Sequence, residues 1–190
     1  MQLPADRELD ELTFRRAQRG EAAACRALVE RYERPVFALV GRMLGRRDGV
    51  EDLAQETFLR AFRALADFDP RGPARLSTWL LTIATHLCLD ALRRRVHEPL
   101  PLEAARALDS GARTDAAAER RALGRAIELA VARLPPDQRA VVLLREWHEL
   151  DYDEIARALG LDLGTVKSRL SRARAALRQA LEEVHRAQAG

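Results

Sequence analysis

The sequence contains few aromatic residues, few cysteines and no long apolar run, and each shortage excludes a class of protein. Aromatic residues are 5% of the 190 positions, a proportion that suits a helical chain. The two cysteines, Cys25 and Cys88, lie on apolar stretches of predicted helices, which favours reduced core thiols over a disulfide or a metal site. No segment approaches the ~18 apolar residues that a membrane-spanning helix needs, and the N-terminus lacks the apolar centre of a signal peptide. We therefore expect a cytoplasmic protein.

Motifs for catalysis are also missing. The sequence has no glycine-rich phosphate-binding loop and no set of His and Cys residues at metal-ligand spacing. Its four histidines are scattered, and its carboxylates do not specify a nucleophile with a base. An enzyme is therefore the weakest interpretation, and we expect no catalytic residue, no metal, no cofactor and no small-molecule substrate.

Helix-forming residues dominate, and no convincing alternating strand occurs. The predicted helices cover residues 10–19, 21–44, 50–66, 77–95, 116–134, 135–148, 151–160 and 161–178. Pro35 should kink or divide the second helix, and Ser77 or Thr78 should cap the fourth. We predict an all-α fold with two small helical domains, residues 1–95 and 117–190. A flexible linker, residues 96–116, joins them and includes a short helical piece at 102–108.

The last third of the chain predicts a helix-turn-helix. Asp151 and Glu154 form a capping box at the start of the first helix, and Gly160 ends that helix in a left-handed conformation. In the second helix an apolar residue recurs every three or four positions and forms one buried face. These residues are Val166, Leu170, Ala173, Leu177 and Leu181.

The opposite side of that second helix is basic. No acidic residue lies between Leu163 and Arg178, a stretch that carries Lys167, Arg169, Arg172 and Arg174. A helix with an apolar back and a basic front fits the major groove of DNA and its phosphates. A solvated basic face on an ordinary bundle helix is the competing interpretation.

Two features of the N-terminal half indicate binding surfaces. Asp52, Gln55, Glu56 and Leu59 share one exposed edge of the third helix and form an acidic ridge, although acids near a helix N-terminus also favour the helix dipole. The loop that precedes the fourth helix combines Arg71 and Arg75 with glycine and the nearby Trp79, a set that can hold single-stranded DNA. A lone Trp at a helix start is more often part of the core.

Several blocks, taken in order, resemble the sigma factors of bacterial RNA polymerase. They are DLAQETFLRAF at 52–62, STWL at 77–80, IA at 83–84, LDALRRR at 89–95, LPPDQR at 134–139, YDEIA at 152–156, GTVKSRL at 164–170 and RAR at 172–174. More narrowly, the chain is similar to the extracytoplasmic-function (ECF) group of the sigma-70 family, which keeps only the second and fourth sigma domains. The likeness covers nearly the whole chain.

The resemblance implies three groups of contact residues. The residues expected to bind the β′ clamp helices of core RNA polymerase are Asp52, Leu53, Gln55, Glu56 and Leu59. The β subunit of the polymerase is a further expected partner. Those expected to open and read the −10 promoter element are Arg71, Arg75, Ser77, Thr78, Trp79, His86, Arg93 and Arg94. Those expected to contact the −35 element are Thr165, Lys167, Ser168, Arg169, Ser171, Arg172 and Arg174. The linker matches the segment that threads toward the RNA exit path.

The chain departs from the family pattern in two places. Thr82, Thr85 and His86 replace two arginines and an asparagine that often follow the Trp-Leu pair, which should weaken phosphate attraction there and shift specificity. Glu149 stands where the family often has glycine before the helix-turn-helix, which should stiffen that turn.

The resemblance implies that this chain binds bacterial core RNA polymerase and directs promoter recognition, DNA melting and transcription initiation. The resemblance also implies an anti-sigma factor that masks the two domains. An ordinary helix-turn-helix regulator with a sensor or dimerisation domain at 1–95 is the alternative. It is disfavoured because this half carries an acidic ridge and a basic, aromatic loop where a sensor needs a pocket.

Overall fold

The computed structural model describes residues 8–95 and 115–189, and the all-α prediction is confirmed because no strand occurs in these ranges. The helices are α1 (Glu11–Gln18), α2 (Ala22–Leu44), α3 (Val50–Ala64), α4 (Leu76–Arg95), α5 (Asp115–Arg133), α6 (Pro136–Glu146), α7 (Tyr152–Leu159) and α8 (Leu163–Ala189). A 3-10 turn, Leu65–Asp67, follows α3. The helical piece expected at 102–108 lies outside the described residues. Within the described ranges, no helix combines the length and the apolar character needed to cross a membrane.

Helix α2 carries the main buried stripe of the N-terminal half. Leu28, Val36 and Leu39 have no exposed surface, and Tyr32 and Met43 complete the predicted face. Of the two effects expected of Pro35, a kink or a division, division does not occur, because α2 continues through the proline from Ala22 to Leu44. The proline removes one backbone hydrogen bond, and the buried stripe on both sides of it offsets that loss.

Helix α4 begins at Leu76, so neither Ser77 nor Thr78 is its cap, and that prediction is wrong. Thr78 is buried inside the helix. The hydroxyl of Ser77 donates to the carboxylate of Glu8, which also accepts from the Tyr32 hydroxyl at 2.8 Å. The partner of Ser77 lies 69 residues away in the chain, so no local pattern indicates it.

The N-terminal helices α1–α4 and the C-terminal helices α5–α8 pack on each other around one continuous apolar core. We call this contact between the two halves the seam. Along the seam, α2 touches α5 and α6, and α4 touches α6 and α7. Residues 141–144 of α6 have no exposed surface at all. Four consecutive helical residues point in all directions, so α6 is covered on every side. The helices α7 and α8 cover one side, and α2 and α4 cover the other.

A buried cation lies at the centre of the seam. Arg139 is 7% exposed, and its guanidinium donates to the carbonyls of Met43 at the end of α2 and of Ala132 and Leu134 at the end of α5. Helix C-termini carry unpaired carbonyls and partial negative charge, so one cation satisfies the ends of two helices. Burial lowers the pKa of Arg139, yet an arginine keeps its proton in proteins.

Two further polar groups lie along the seam. The guanidinium of Arg42 on α2 stands 5.7 Å from the ring centre of Trp147, which follows α6. Burial, and then the positive charge of Arg42, lower the pKa of His148 to about 4. The imidazole is therefore neutral at pH 7, and its buried Nε2 atom has no hydrogen-bond partner among the described residues.

Replacing Arg139 with methionine should lower the free energy of unfolding by about 3 kcal/mol, because buried carbonyls at the ends of α2 and α5 lose their donor. Arg139→Lys should cost less, since an ammonium still donates but cannot reach all three carbonyls. Urea denaturation measures both. Arg15→Met, which removes an exposed ion pair with Glu11, is the control and should change stability by less than about 0.5 kcal/mol. A similarly small effect of Arg139→Met would contradict the role assigned to this cation.

Candidate functional site

The helix-turn-helix is formed by α7 and α8, and local caps set its geometry. The predicted capping box is confirmed: Asp151 accepts from the Glu154 backbone N–H at 2.7 Å, and Glu154 accepts from the Asp151 N–H at 2.8 Å. Gly160 ends α7 with a φ of 63°, the left-handed conformation expected of it.

Helix α8 begins at Leu163, two residues later than predicted, because Asp162 caps it. The Asp162 carboxylate accepts from the backbone N–H of Thr165 at 2.7 Å and from its hydroxyl at 2.6 Å, and both bonds lower the pKa of Asp162. A Cβ atom at Gly164 would lie 3.0 Å from the Asp162 carboxylate. The glycine therefore leaves room for the cap.

The two sides of α8 differ as the sequence predicted. Val166, Leu170 and Ala173 are buried against the core, and Leu177 and Leu181 are half-buried. The side chains of Lys167, Ser171 and Arg172 are exposed and bond to nothing else in the described ranges. These three residues, here termed the free face, are available to an outside ligand.

The other residues expected to contact the −35 element have partners within the chain. The hydroxyl of Thr165 is bound to Asp162, and the hydroxyl of Ser168 donates to the Thr165 carbonyl at 3.0 Å. Arg169 pairs with Asp137 at 3.1 Å, and Arg174 pairs with Glu146 at 2.6 Å. The bond from Glu146 raises the pKa of Arg174. These four side chains are therefore already engaged within the chain.

Hydrogen bonds fix the loop between α3 and α4 at its base. The side-chain amide of Gln18 donates to the carbonyls of Leu65 at 2.9 Å and Phe68 at 3.0 Å. Asp69 closes a turn by accepting from the backbone N–H of Arg71 at 2.9 Å. The side chains of Arg71 and Arg75 are exposed.

Trp79, the aromatic residue expected at the −10 site, is partly buried in the N-terminal half. Trp79 is half-buried and packs on Phe68 with ring centres 4.8 Å apart, and Phe68 meets Phe14 edge-on at 5.9 Å. Thr78 is buried, and Ser77 is bound to Glu8. Only part of the Trp79 ring is therefore presented to solvent.

Further along α4, three more of the side chains expected to contact the −10 element are exposed. His86, Arg93 and Arg94 are exposed, and Arg93 pairs with Asp90 at 2.9 Å. The hydroxyls of Thr82 and Thr85 donate to backbone carbonyls four residues earlier in the helix, at 2.8 and 2.7 Å. These threonines therefore satisfy their own polar groups and add no positive charge.

The edge of α3 presents an acidic and apolar surface. Asp52 and Gln55 are exposed, and Leu59 exposes 51% of its surface beside them. Glu56 is half-buried and accepts from Arg60 at 2.7 Å, while Leu53 is half-buried against the core. An exposed leucine beside carboxylates suits a partner that offers both apolar contact and positive charge.

Sequence reasoning missed three side chains that shape these surfaces. Gln18 fixes the loop, Asp162 caps α8 and occupies Thr165, and Arg139 fixes α6 against α2. The spacing of Asp162 and Thr165 is a capping signal that the sequence does contain. Gln18 and Arg139 bond to residues 47 and 96 positions away, which no local pattern reveals.

The turn before α7 contains the departure from the family pattern noted above. Glu149 has a φ of 58°, and no other non-glycine residue in the described ranges has a positive φ. A side chain in the left-handed region clashes with its own backbone, which explains why glycine is favoured at such a position.

Comparison with known proteins gives matches over both halves. The model of sigma-70 region 2 matches residues 28–98, and the model of sigma-70, region 4 matches residues 124–177. The chain is 32% identical over 181 residues to the ECF RNA polymerase sigma factor SigW of Bacillus subtilis, a match that covers 90% of this chain and 96% of SigW.

Two further proteins are similar. The ECF RNA polymerase sigma factor SigE of Mycolicibacterium smegmatis is 37% identical over 157 residues, a match that covers 81% of this chain and 60% of that longer protein. Among solved structures, CnrH in complex with the cytosolic domain of CnrY has a TM-score of 0.65 and 28% identity, and the match covers 92% of this chain and 97% of CnrH.

Glu149→Gly should raise the free energy of unfolding by about 0.5–1 kcal/mol, because relief of left-handed strain exceeds the entropy cost of glycine. Glu149→Val should lower it by at least about 1 kcal/mol, since a branched side chain tolerates this conformation poorly. Urea denaturation measures both. The reverse order of stability would show that the backbone at this turn is not left-handed.

Arg172→Ala should weaken binding to duplex DNA and reduce the slope of log K against log salt by about one, because one phosphate contact is lost. Arg174→Ala should have a smaller effect, since Glu146 already neutralises that cation. Fluorescence anisotropy on a labelled duplex at several salt concentrations measures both. Gln179→Ala, an exposed change further along α8, is the control. An unchanged slope for Arg172→Ala would reject this orientation of α8.

Proposed function

The chain belongs to the ECF group of the sigma-70 family, and we propose how its surfaces share the work of starting transcription. The edge of α3 binds core RNA polymerase. The loop at 68–75 and α4 open and read the −10 element, and α8 reads the −35 element. The polymerase performs the chemistry in the cytoplasm, and this chain contributes binding without catalysis.

The observation that carries the −35 assignment is the free face of α8. Lys167 and Arg172 are exposed cations without a partner in the part of the chain that the structure describes, and Ser171 between them is also exposed. A guanidinium binds a guanine edge or a phosphate through two parallel hydrogen bonds, whereas an ammonium acts on phosphates as a point charge. We infer that this face enters the major groove, and that Arg169 and Arg174 join it once they exchange Asp137 and Glu146 for DNA.

For the −10 element, we assign anchoring to the exposed cations and base capture to the loop. Arg71 lies in the turn that Asp69 closes, Arg75 follows that turn, and Arg93 and Arg94 near the end of α4 add further positive charge. Opening a duplex costs about a few kcal/mol for each unstacked step, so captured bases must offset that cost. The half-buried Trp79 supplies a rigid aromatic surface beside the loop, because its ring packs on Phe68.

For polymerase binding, the exposed edge of α3 supports contact with the β′ clamp helices. Leu59 supplies apolar area, and Asp52 and Glu56 supply negative charge toward a basic partner. We assign residues 1–95 to polymerase and −10 binding, residues 117–190 to −35 binding, and residues 96–116 to the linker between them.

We also propose that an anti-sigma factor controls this chain. The similar protein CnrH was solved in complex with the cytosolic domain of CnrY, and this supports a protein partner for the present chain. A partner that covers the free face of α8 or the edge of α3 would block DNA or polymerase binding.

Glu56→Arg should weaken association with core RNA polymerase at least tenfold, because it reverses charge in the centre of the acidic edge. A pull-down of the purified variant with bacterial core polymerase measures the loss. Glu182→Arg makes the same change of charge at an exposed position of α8 and should bind as the unmodified chain does. Normal association of Glu56→Arg would remove the edge of α3 from the interface.

A further inference from the structure

We propose that Asp137 and Glu146 on α6 set how tightly α8 binds DNA, because each of them holds an arginine of α8 that a DNA phosphate would otherwise bind. Both are positioning residues, since their negative charge keeps them off DNA and they act through Arg169 and Arg174. The competition rests on the proposed function, in which α8 is a helix that binds DNA.

The two ion pairs connect α8 to the helix that supports it. Asp137 lies in the first turn of α6 and contacts Arg169 at 3.1 Å. Glu146 ends α6, and one of its carboxylate oxygens accepts from Arg174 twice, from Nε at 3.1 Å and from Nη2 at 2.6 Å. The two carboxylates expose 48% and 43% of their side chains. An anion from outside the chain can therefore reach both pairs.

Arg169 and Arg174 lie at the two borders of the buried stripe of α8. An α-helix turns by about 100° per residue, so these two arginines are about 140° apart around its axis. The buried residues Val166, Leu170 and Ala173 fall between them. From a border position a long side chain can turn toward α6 or toward the exposed side of the helix. Each arginine can therefore bind either a carboxylate of α6 or a phosphate beside the free face.

A DNA phosphate has to compete with each carboxylate, because both anions bind the same N–H groups of a guanidinium. Each phosphate contact adds about 0.9 to the slope of log K against log salt for duplex DNA. Lys167 and Arg172 pair with nothing in the described ranges and contribute fully. The two paired arginines contribute only as far as DNA displaces their carboxylates. We expect α8 to bind a duplex less tightly, and with a weaker salt dependence, than four unpaired cations would.

A purely structural role of the two ion pairs predicts the opposite result. If the pairs only fasten α8 to α6, removing a carboxylate loosens the helix and weakens DNA binding. The buried stripe already packs α8 against the core, and ion pairs exposed to water contribute little to stability. We therefore expect the loss of a carboxylate to leave α8 in place and to strengthen DNA binding.

The test compares Asp137→Asn and Glu146→Gln with the unmodified full-length chain, by fluorescence anisotropy on a labelled duplex of mixed sequence at several salt concentrations. Each substitution should increase affinity about 3–8-fold at about 0.1 M salt and steepen the salt slope by about one, because one more cation is available to phosphates. Glu11→Gln is the matched control. It also removes one negative charge and frees an arginine, Arg15, but on α1, so affinity and slope should stay unchanged.

A double-mutant cycle shows whether the gain acts through Arg174. In the unmodified chain Arg174→Ala should weaken binding only slightly, because Glu146 holds that cation. In the Glu146→Gln background, Arg174→Ala should weaken binding about 3–8-fold and flatten the salt slope by about one. Arg172→Ala should have the same effect in both backgrounds, because no carboxylate in the described ranges holds Arg172.

Unchanged or weaker binding by Glu146→Gln would overturn the competition, and so would a gain that Arg174→Ala does not remove. Circular dichroism checks the fold of each variant. Asp137 lies in the first turn of α6, where a negative charge favours the helix dipole, so Asp137→Asn removes a stabilising charge. If that variant does not fold, Glu146→Gln decides the result, because the loss of a negative charge at the C-terminus of α6 does not disfavour the helix.

Failure of the competition and failure of the proposed function give different results. If Arg172→Ala weakens DNA binding and Glu146→Gln does not strengthen it, α8 binds DNA but the carboxylates do not compete. If Arg172→Ala leaves both affinity and salt slope unchanged, α8 is not the DNA-binding helix, and the competition is rejected with it.

Discussion

The guanidinium of Arg139 is the interaction on which the arrangement of helices depends. It lies where α2 and α5 both end, and it satisfies carbonyls that neither helix can bond within itself. Because α6 carries this cation, α6 is fixed against the N-terminal half. The helices α7 and α8 pack on α6, so α8 takes its position from the same contact.

Ion pairs within the chain also limit which charged side chains are available to bind an outside partner. Asp137 and Glu146 on α6 hold Arg169 and Arg174 on α8, while Lys167 and Arg172 keep their charge available. Within the described ranges, an outside anion therefore meets unpaired positive charge at Lys167 and Arg172, whereas at Arg169 and Arg174 it would have to displace a carboxylate.

Much of the fold follows from the sequence where cause and effect lie within four residues. The capping box of Asp151, the left-handed Gly160 and the apolar stripes of α2 and α8 belong to this class, and the structure has them as predicted. The cap of α4 was misassigned because Ser77 bonds to Glu8, far away in the chain. The sequence likewise predicts the basic side of α8. It does not predict that Arg169 and Arg174 pair with Asp137 and Glu146, because those carboxylates lie far away in the chain.

In vitro transcription shows whether this chain directs RNA polymerase to promoters. Purified chain would be added to bacterial core polymerase and a pool of double-stranded genomic fragments from its own source, and RNA 5′ ends would be mapped. We expect defined start sites, absent without the chain, that share sequence elements near −10 and −35. The absence of any chain-dependent start site, with duplex DNA still bound, would contradict this expectation.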